Sequence, residues 1–142
     1  MAKRVFLTGR KLENLLYRKL KGKILDDASI LLADEKYYCP PQSDIEYLIK
    51  RNKINRKKYT SEIFDCDDFA LSLKYFFIKH AYSNGKRRAP HCAGIIWGFI
   101  GGEQHAVNIV VNDKKEVFFI EPQKDLIFFP DDEDTDFSFI YF

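Results

Sequence analysis

The strongest constraint on the fold of this chain is a change of hydrophobic period part-way along it. Up to about residue 82, apolar residues recur at helical spacing; beyond residue 90 they come in short β-rich runs. In "CDDFALSLKYFFIKHAY" (66–82), Phe69, Ala70, Leu73, Phe76 and Phe77 fall on one helical stripe, with Asp65 as the N-cap and Cys66 in the first turn. Upstream, "LTGRKLENLLYRKLKGK" places Leu12, Leu15, Leu16 and Leu20 on one face, and Gly22 can stop that helix. "SDIEYLIKRN" opens with Ser43 and Glu46 at capping-box spacing and predicts a second, short helix. "SILLADEKYYCPPQ" reads as extended segments broken by Pro40 and Pro41. After the loop "SNGKRRAP", the runs "CAGIIWGFI", "EQHAVNIVV", "EVFFIEP", "DLIFF" and "FSFIYF" predict an antiparallel meander. Helices first and a meander after them predict an α+β domain.

The chain has 142 residues, 46% of them hydrophobic, which suits one domain spanning 1–142. A net charge of +2 argues against a dedicated nucleic-acid binder. The basic run "KRNKINRKK" (50–58) and the acidic run "DDEDTD" (131–136) read as solvated surface; the sharper alternative makes the basic run a contact for phosphate or an acidic partner. No signal-peptide core follows "MAKR", and no apolar run approaches membrane-spanning length. The three cysteines, at 39, 66 and 92, are widely spread and form no disulfide framework, so a reducing, cytoplasmic setting is expected.

The residues that carry chemistry start from "IFDCDDFALSL" (63–73). A thiol in the first turn of a helix feels the positive end of the helix dipole, and a nearby base makes it a nucleophile. His80 lies turns away on the same helix and His91 sits in a loop, whereas His105 opens a predicted strand. If the following hairpin pairs Val111 with Lys115, His105 stands opposite Glu121, whose carboxylate could orient the ring. A slip of one residue would point the two side chains to opposite faces. Asn108 is a rival for the orienting role but lies on the other face of its strand. A zinc site from Cys39, Cys66, Cys92 and His91 or His105 lacks any Cys-x-x-Cys or His-x-His pair.

"DCDDFA", "HAVNIVV" and "FFIEPQ", in this order, resemble the papain-like cysteine peptidase domain of the fairy-ring mushroom agglutinin and related bacterial and phage domains. The resemblance spans roughly residues 40 to 125, and each motif alone is short. It implies a papain-like α+β fold, with N-terminal helices and the nucleophile helix packed on an antiparallel sheet. It places Cys66, His105 and Glu121 as nucleophile, base and orienting carboxylate. It implies a cysteine-dependent hydrolase of amide bonds acting on a peptide or protein, with no organic cofactor. No segment here corresponds to the sugar-binding trefoil of that agglutinin, and Val107 stands where the family commonly has an aromatic.

An activating metal, Ca2+ or Mn2+, is also implied by the resemblance, with Asp67, Asp68 and Gln123 as oxygen ligands. Asp67 and Asp68 place negative charge beside Cys66, which a divalent cation would cancel. Alternatively, the two acids merely complement the helix dipole. The backbone N–H of Cys66 is one natural oxyanion donor, and a second would come from Tyr59, Thr60 or Ser61. Two further readings stay open: an inactive relative serving as a binding or assembly module, and a transglutaminase-like acyl transferase.

Overall fold

The computed structural model describes residues 3–84, 88–129 and 134–142. Residues 85–87 of the loop and 131–133 of the acidic run lie outside them. The first helix, α1 (Gly9–Lys19), starts where the Thr8 side chain accepts a hydrogen bond from the Lys11 amide. It follows β1 (Val5–Thr8), which pairs antiparallel with β3 (Lys36–Cys39). The second helix, α2 (Gln42–Arg51), has Pro41 at its N-cap and no side-chain cap bond, so the Ser43/Glu46 capping box does not form. Pro41 takes that place because its fixed φ and missing N–H suit the start of a helix. The third helix, α3, runs from Cys66 to Ser83.

The main sheet has six strands in the order β2 (Ile24–Leu31), β8 (Asp136–Tyr141), β4 (Ala93–Ile100), β5 (Glu103–Val111), β6 (Val117–Glu121) and β7 (Leu126–Phe128). It is covered on both faces. On one side Leu12, Leu15 and Leu16 of α1 pack with Val107, Ile109, Val111 and Phe119. On the other, Ile45, Leu48 and Ile49 of α2 and Leu73 and Phe77 of α3 pack with Val110, Phe118 and Ile120. This double cover explains why β5 from Ala106 and β6 up to Ile120 are buried on both faces, Asn108 being the one polar residue among them.

The papain-like α+β expectation is corrected here. The chain does not divide into helices and then a meander, because β1, β2 and β3 lie among the helices. Nor is the sheet purely antiparallel: β2 pairs parallel with β8, through Ser29↔Phe139 and Leu31↔Tyr141. The physical reason is visible in β2, whose exposed and half-buried residues alternate along most of its length, as an edge strand with one wet face should. That pattern says nothing about which distant strand accepts the edge. The basic run 50–58 covers the end of α2 and a short 3-10 turn, Ile54–Arg56; most of it is exposed, while Asn52 is buried.

Candidate functional site

Local chain geometry sets the head of α3. The segment before it is a tight reversal, with paired hydrogen bonds between Thr60 and Phe64 and Glu62 in the left-handed region at φ 63°. Asp65 and Asp68 form a capping box, in which Asp68 Oδ2 accepts from the Asp65 amide at 3.2 Å. Phe64 and Phe69 close the turn from outside as a hydrophobic staple, their rings edge-on at 4.7 Å. Cys66 is thereby held at the first helical position. It is half-buried and packs with Trp97 against Ala70, Ile95 and Ala106. The Tyr59 phenol lies close enough to interact electrostatically with Asp65 and Cys66.

His105 and Glu121 are brought together by a different register from the one expected. The hairpin loop does hold three residues, but they are Asp113, Lys114 and Lys115, closed by a hydrogen bond from the Asn112 amide to the Glu116 carbonyl. Lys115 takes the left-handed conformation that such a loop needs. Val111 therefore pairs with Val117, and the ladder runs back to Asn108↔Ile120. Relative to the expected pairing the slip is two residues, an even number, so His105 and Glu121 keep a common face. They meet diagonally, with His105 Nε2 2.5 Å from Glu121 Oε2. The other carboxylate oxygen, Oε1, accepts from the Gln123 amide at 3.2 Å. Glu121 is thus fixed at both oxygens, and a neutral ring donating through Nε2 keeps its lone pair on Nδ1. Gly98 is the register partner of His105; a Cβ there would stand 2.0 Å from the Asp136 carbonyl, so the strands pack too closely for a side chain.

Cys66 comes to the same end of the sheet, packed beside Ala106, the chain neighbour of His105. Strand alternation groups His105 with Val107 and Ile109, and Cys66 packs with Ala106. Among the described residues no hydrogen bond joins Cys66 to His105. Asn108 lies on the α3 face, where its Nδ2 donates to the carbonyls of Ala70 and Gly94 at 2.7 and 3.1 Å.

Of the expected metal ligands, Asp67 and Asp68 gather with Asp65: one carboxylate oxygen from each lies within 4.8 Å of the others. A hydrogen bond with Asp67, then burial, pushes the Asp65 carboxyl above its ordinary range. In the sequence Asp65 reads only as a helix cap; its nearness to Asp67 and Asp68 in the first turn is the signal that adds it to the group. Gln123 stands beside Glu121 through its backbone.

The polar site therefore lies where the head of α3 meets the start of β5, on a mixed sheet sandwiched between helices. A family model described as Agglutinin C-terminal matches residues 37–127. That is more than half of the chain, and the chain belongs to this family. No curated protein matches it. Among solved structures, one described as "PSL1a-E64 complex" is similar at a TM-score of 0.83 and 25% identity, over 96% of this chain and 50% of that one. Polyporus squamosus lectin, bound to the epitope Neu5Aca2-6Galb1-4GlcNAc, is similar at a TM-score of 0.79 and 25% identity, over 96% and 49%. The chain thus spans about half the length of these structures.

These findings correct the expectation of a papain-like thiol peptidase acting on a peptide or protein: the matched family is an agglutinin family, and the partner named for the lectin is a glycan. The motifs that suggested the peptidase are a few residues long, and they report which groups meet at one end of the sheet rather than what those groups act on. Among the described residues no helix is long and apolar enough to cross a membrane.

Proposed function

We propose that this chain is a binding module of the agglutinin kind and that its ligands are carbohydrates. The observation that carries this reading is the likeness to a glycan-bound lectin over 96% of the chain. The chemistry of the site supports it. Glu121, His105 and the Asp65–Asp67–Asp68 group offer hydrogen-bond acceptors suited to sugar hydroxyls, and the Trp97 and Phe139 rings, edge-on at 4.9 Å, offer an aromatic surface beside them. The test is titration of this chain alone with Neu5Aca2-6Galb1-4GlcNAc and with neutral oligosaccharides, followed by calorimetry. Saturable binding that weakens in Glu121→Ala is the expected result. No heat with any of these glycans overturns the reading.

A second reading is favoured by Cys66 itself, a half-buried thiol at the first position of α3 with an imidazole–carboxylate pair at the same end of the sheet. Such a thiol can attack a side-chain carboxamide, forming a thioester as ammonia leaves with the thiol proton; an amine then takes the acyl group, and its proton passes through His105 back to the freed thiolate. Incubation with E64 followed by intact mass tests it: an adduct on the parent protein and none on Cys66→Ala supports acyl-transfer chemistry, and no adduct removes it.

Calcium or manganese belongs to the same proposal. Clustered carboxylate oxygens suit a hard dication, and the raised Asp65 carboxyl reflects the crowding that such an ion would relieve. Asp65, Asp67 and Asp68 would hold it, each through one carboxylate oxygen, with Gln123 as a further oxygen donor. Saturable calcium binding by calorimetry, lost in Asp67→Asn, is the expected result.

A further inference from the structure

Cys39 and Cys92 are far apart in sequence and adjacent in the fold. A parallel bridge pairs Tyr38 with His91. It is built from the Tyr38 amide donating to Pro90 and the Cys92 amide donating to Tyr38, at 2.8 and 2.7 Å. The rings of Tyr38 and His91 lie together on one side of this bridge, their centroids 5.7 Å apart. One residue further along both segments, alternation sends Cys39 and Cys92 together to the opposite side. Both are fully buried there in one apolar cluster with Tyr37, Ile96 and Phe142. The two thiols are close enough that Cys39 helps to raise the Cys92 thiol. Neighbouring positions on paired strands are about 5 Å apart, within the Cα separation that a disulfide spans.

We propose that Cys39 and Cys92 are a modification site that takes up a disulfide when the protein meets a peroxide. One thiol is oxidised to a sulfenic acid with release of one water. The second thiol displaces a second water as the S–S bond forms. In total, two thiols and one hydrogen peroxide give one disulfide and two waters. The bond joins β3 to the start of β4 and closes a loop that contains α2 and α3. Cys66 lies within that loop but takes no part: it sits half-exposed at the head of α3, in a different apolar cluster from the other two. Burial first, and then the neighbouring Cys39, raise the Cys92 thiol well above its ordinary range, so oxidation waits on local opening of the strand pair and is slow.

In the test, Cys66 is first alkylated on the folded protein, and hydrogen peroxide is then added. The protein is unfolded, remaining thiols are alkylated with a second reagent, and the peptides are mapped. The expected product is a linked peptide pair containing residues 39 and 92, with a mass two hydrogens below the dithiol. Its urea midpoint rises by about 1–2 M and returns to the starting value with dithiothreitol. Cys39→Ala and Cys92→Ala, each checked by circular dichroism for retained structure, give no linked pair and no rise. Recovery of residues 39 and 92 as separately alkylated thiols after prolonged peroxide treatment, including in sub-denaturing urea, overturns the proposal. So does a linked pair with an unchanged midpoint.

Discussion

His105 and Glu121 are joined through Nε2 and Oε2 although neither is the other's partner in the strand ladder. The bond exists because a two-residue displacement in an antiparallel pair preserves side-chain parity, and a histidine and a glutamate are long enough to meet on the diagonal. The second oxygen of Glu121 holds the Gln123 amide, so one carboxylate organises both the ring and the turn after β6.

Replacing that carboxylate should therefore have two separable effects. Glu121→Ala leaves the Gln123 amide and the ring without an acceptor and is expected to lower stability by roughly 1–3 kcal/mol, read from urea unfolding. Glu121→Gln keeps an oxygen for Gln123 but offers an N–H to the imidazole. The ring is then expected to switch from the Nε2–H to the Nδ1–H tautomer, which nitrogen NMR distinguishes. An unchanged tautomer in Glu121→Gln would contradict the assigned donor direction.

Cys66 should be the thiol that alkylating reagents find. It is half-buried at a helix head, while Cys39 and Cys92 are fully buried. Iodoacetamide at neutral pH is expected to label Cys66 about tenfold faster or more, as read by peptide mapping over time. Equal rates at the three positions would mean that the core opens readily.

Asn108 links the sheet to α3 by donating to two carbonyls from a fully enclosed position. Asn108→Ala removes both bonds and should cost roughly 1–3 kcal/mol. Asn108→Asp should cost more, roughly 3–5 kcal/mol, because an anionic oxygen then faces carbonyl oxygens in the interior. Urea midpoints of the two variants give the order, and Asp less harmful than Ala would refute the donor role.

Asp125 supplies a pH prediction. Burial raises its carboxyl above the ordinary range, and the bond from Asn52 only partly offsets this. A raised folded pKa means that the folded state holds the proton more tightly than the unfolded state, so at neutral pH the ionised group weakens the fold. Asp125→Asn keeps an oxygen for Asn52 and tolerates the residue's φ of 52°. It should raise stability at pH 7 by less than about 1 kcal/mol after allowance for solvent screening. The gain should fade as pH falls through the raised folded value toward the unfolded ~3.9. A gain that persists unchanged at acid pH would point to backbone conformation instead of charge.

The helices and most strands were legible because their signals are local. The stripe from Phe69 to Phe77 and the cap at Asp65 lie within a few residues of one another, and the β-branched runs after residue 90 are uninterrupted. The second helix shows the limit of that reading: its boundary was expected at Ser43, but Pro41 starts it, since two candidate caps compete within three residues. At the site, the sequence brought Cys66, His105 and Glu121 under suspicion by their order, the helix-start position of the thiol and an assumed hairpin. It could not supply the hairpin register, which Lys115 decides by taking a left-handed turn, nor the approach of Cys66 to Ala106 of β5.

By itself the sequence determined the period of each segment, the residues of both apolar faces and the acid-rich head of α3, because these depend on neighbours along the chain. Only the tertiary structure decided that β2 joins β8 in parallel and that Cys39 lies against Cys92. Each of these contacts joins groups whose meeting depends on how the chain turns between them. Loop closure carries no residue-level signature, and the pairing is chosen by burial summed over the whole core.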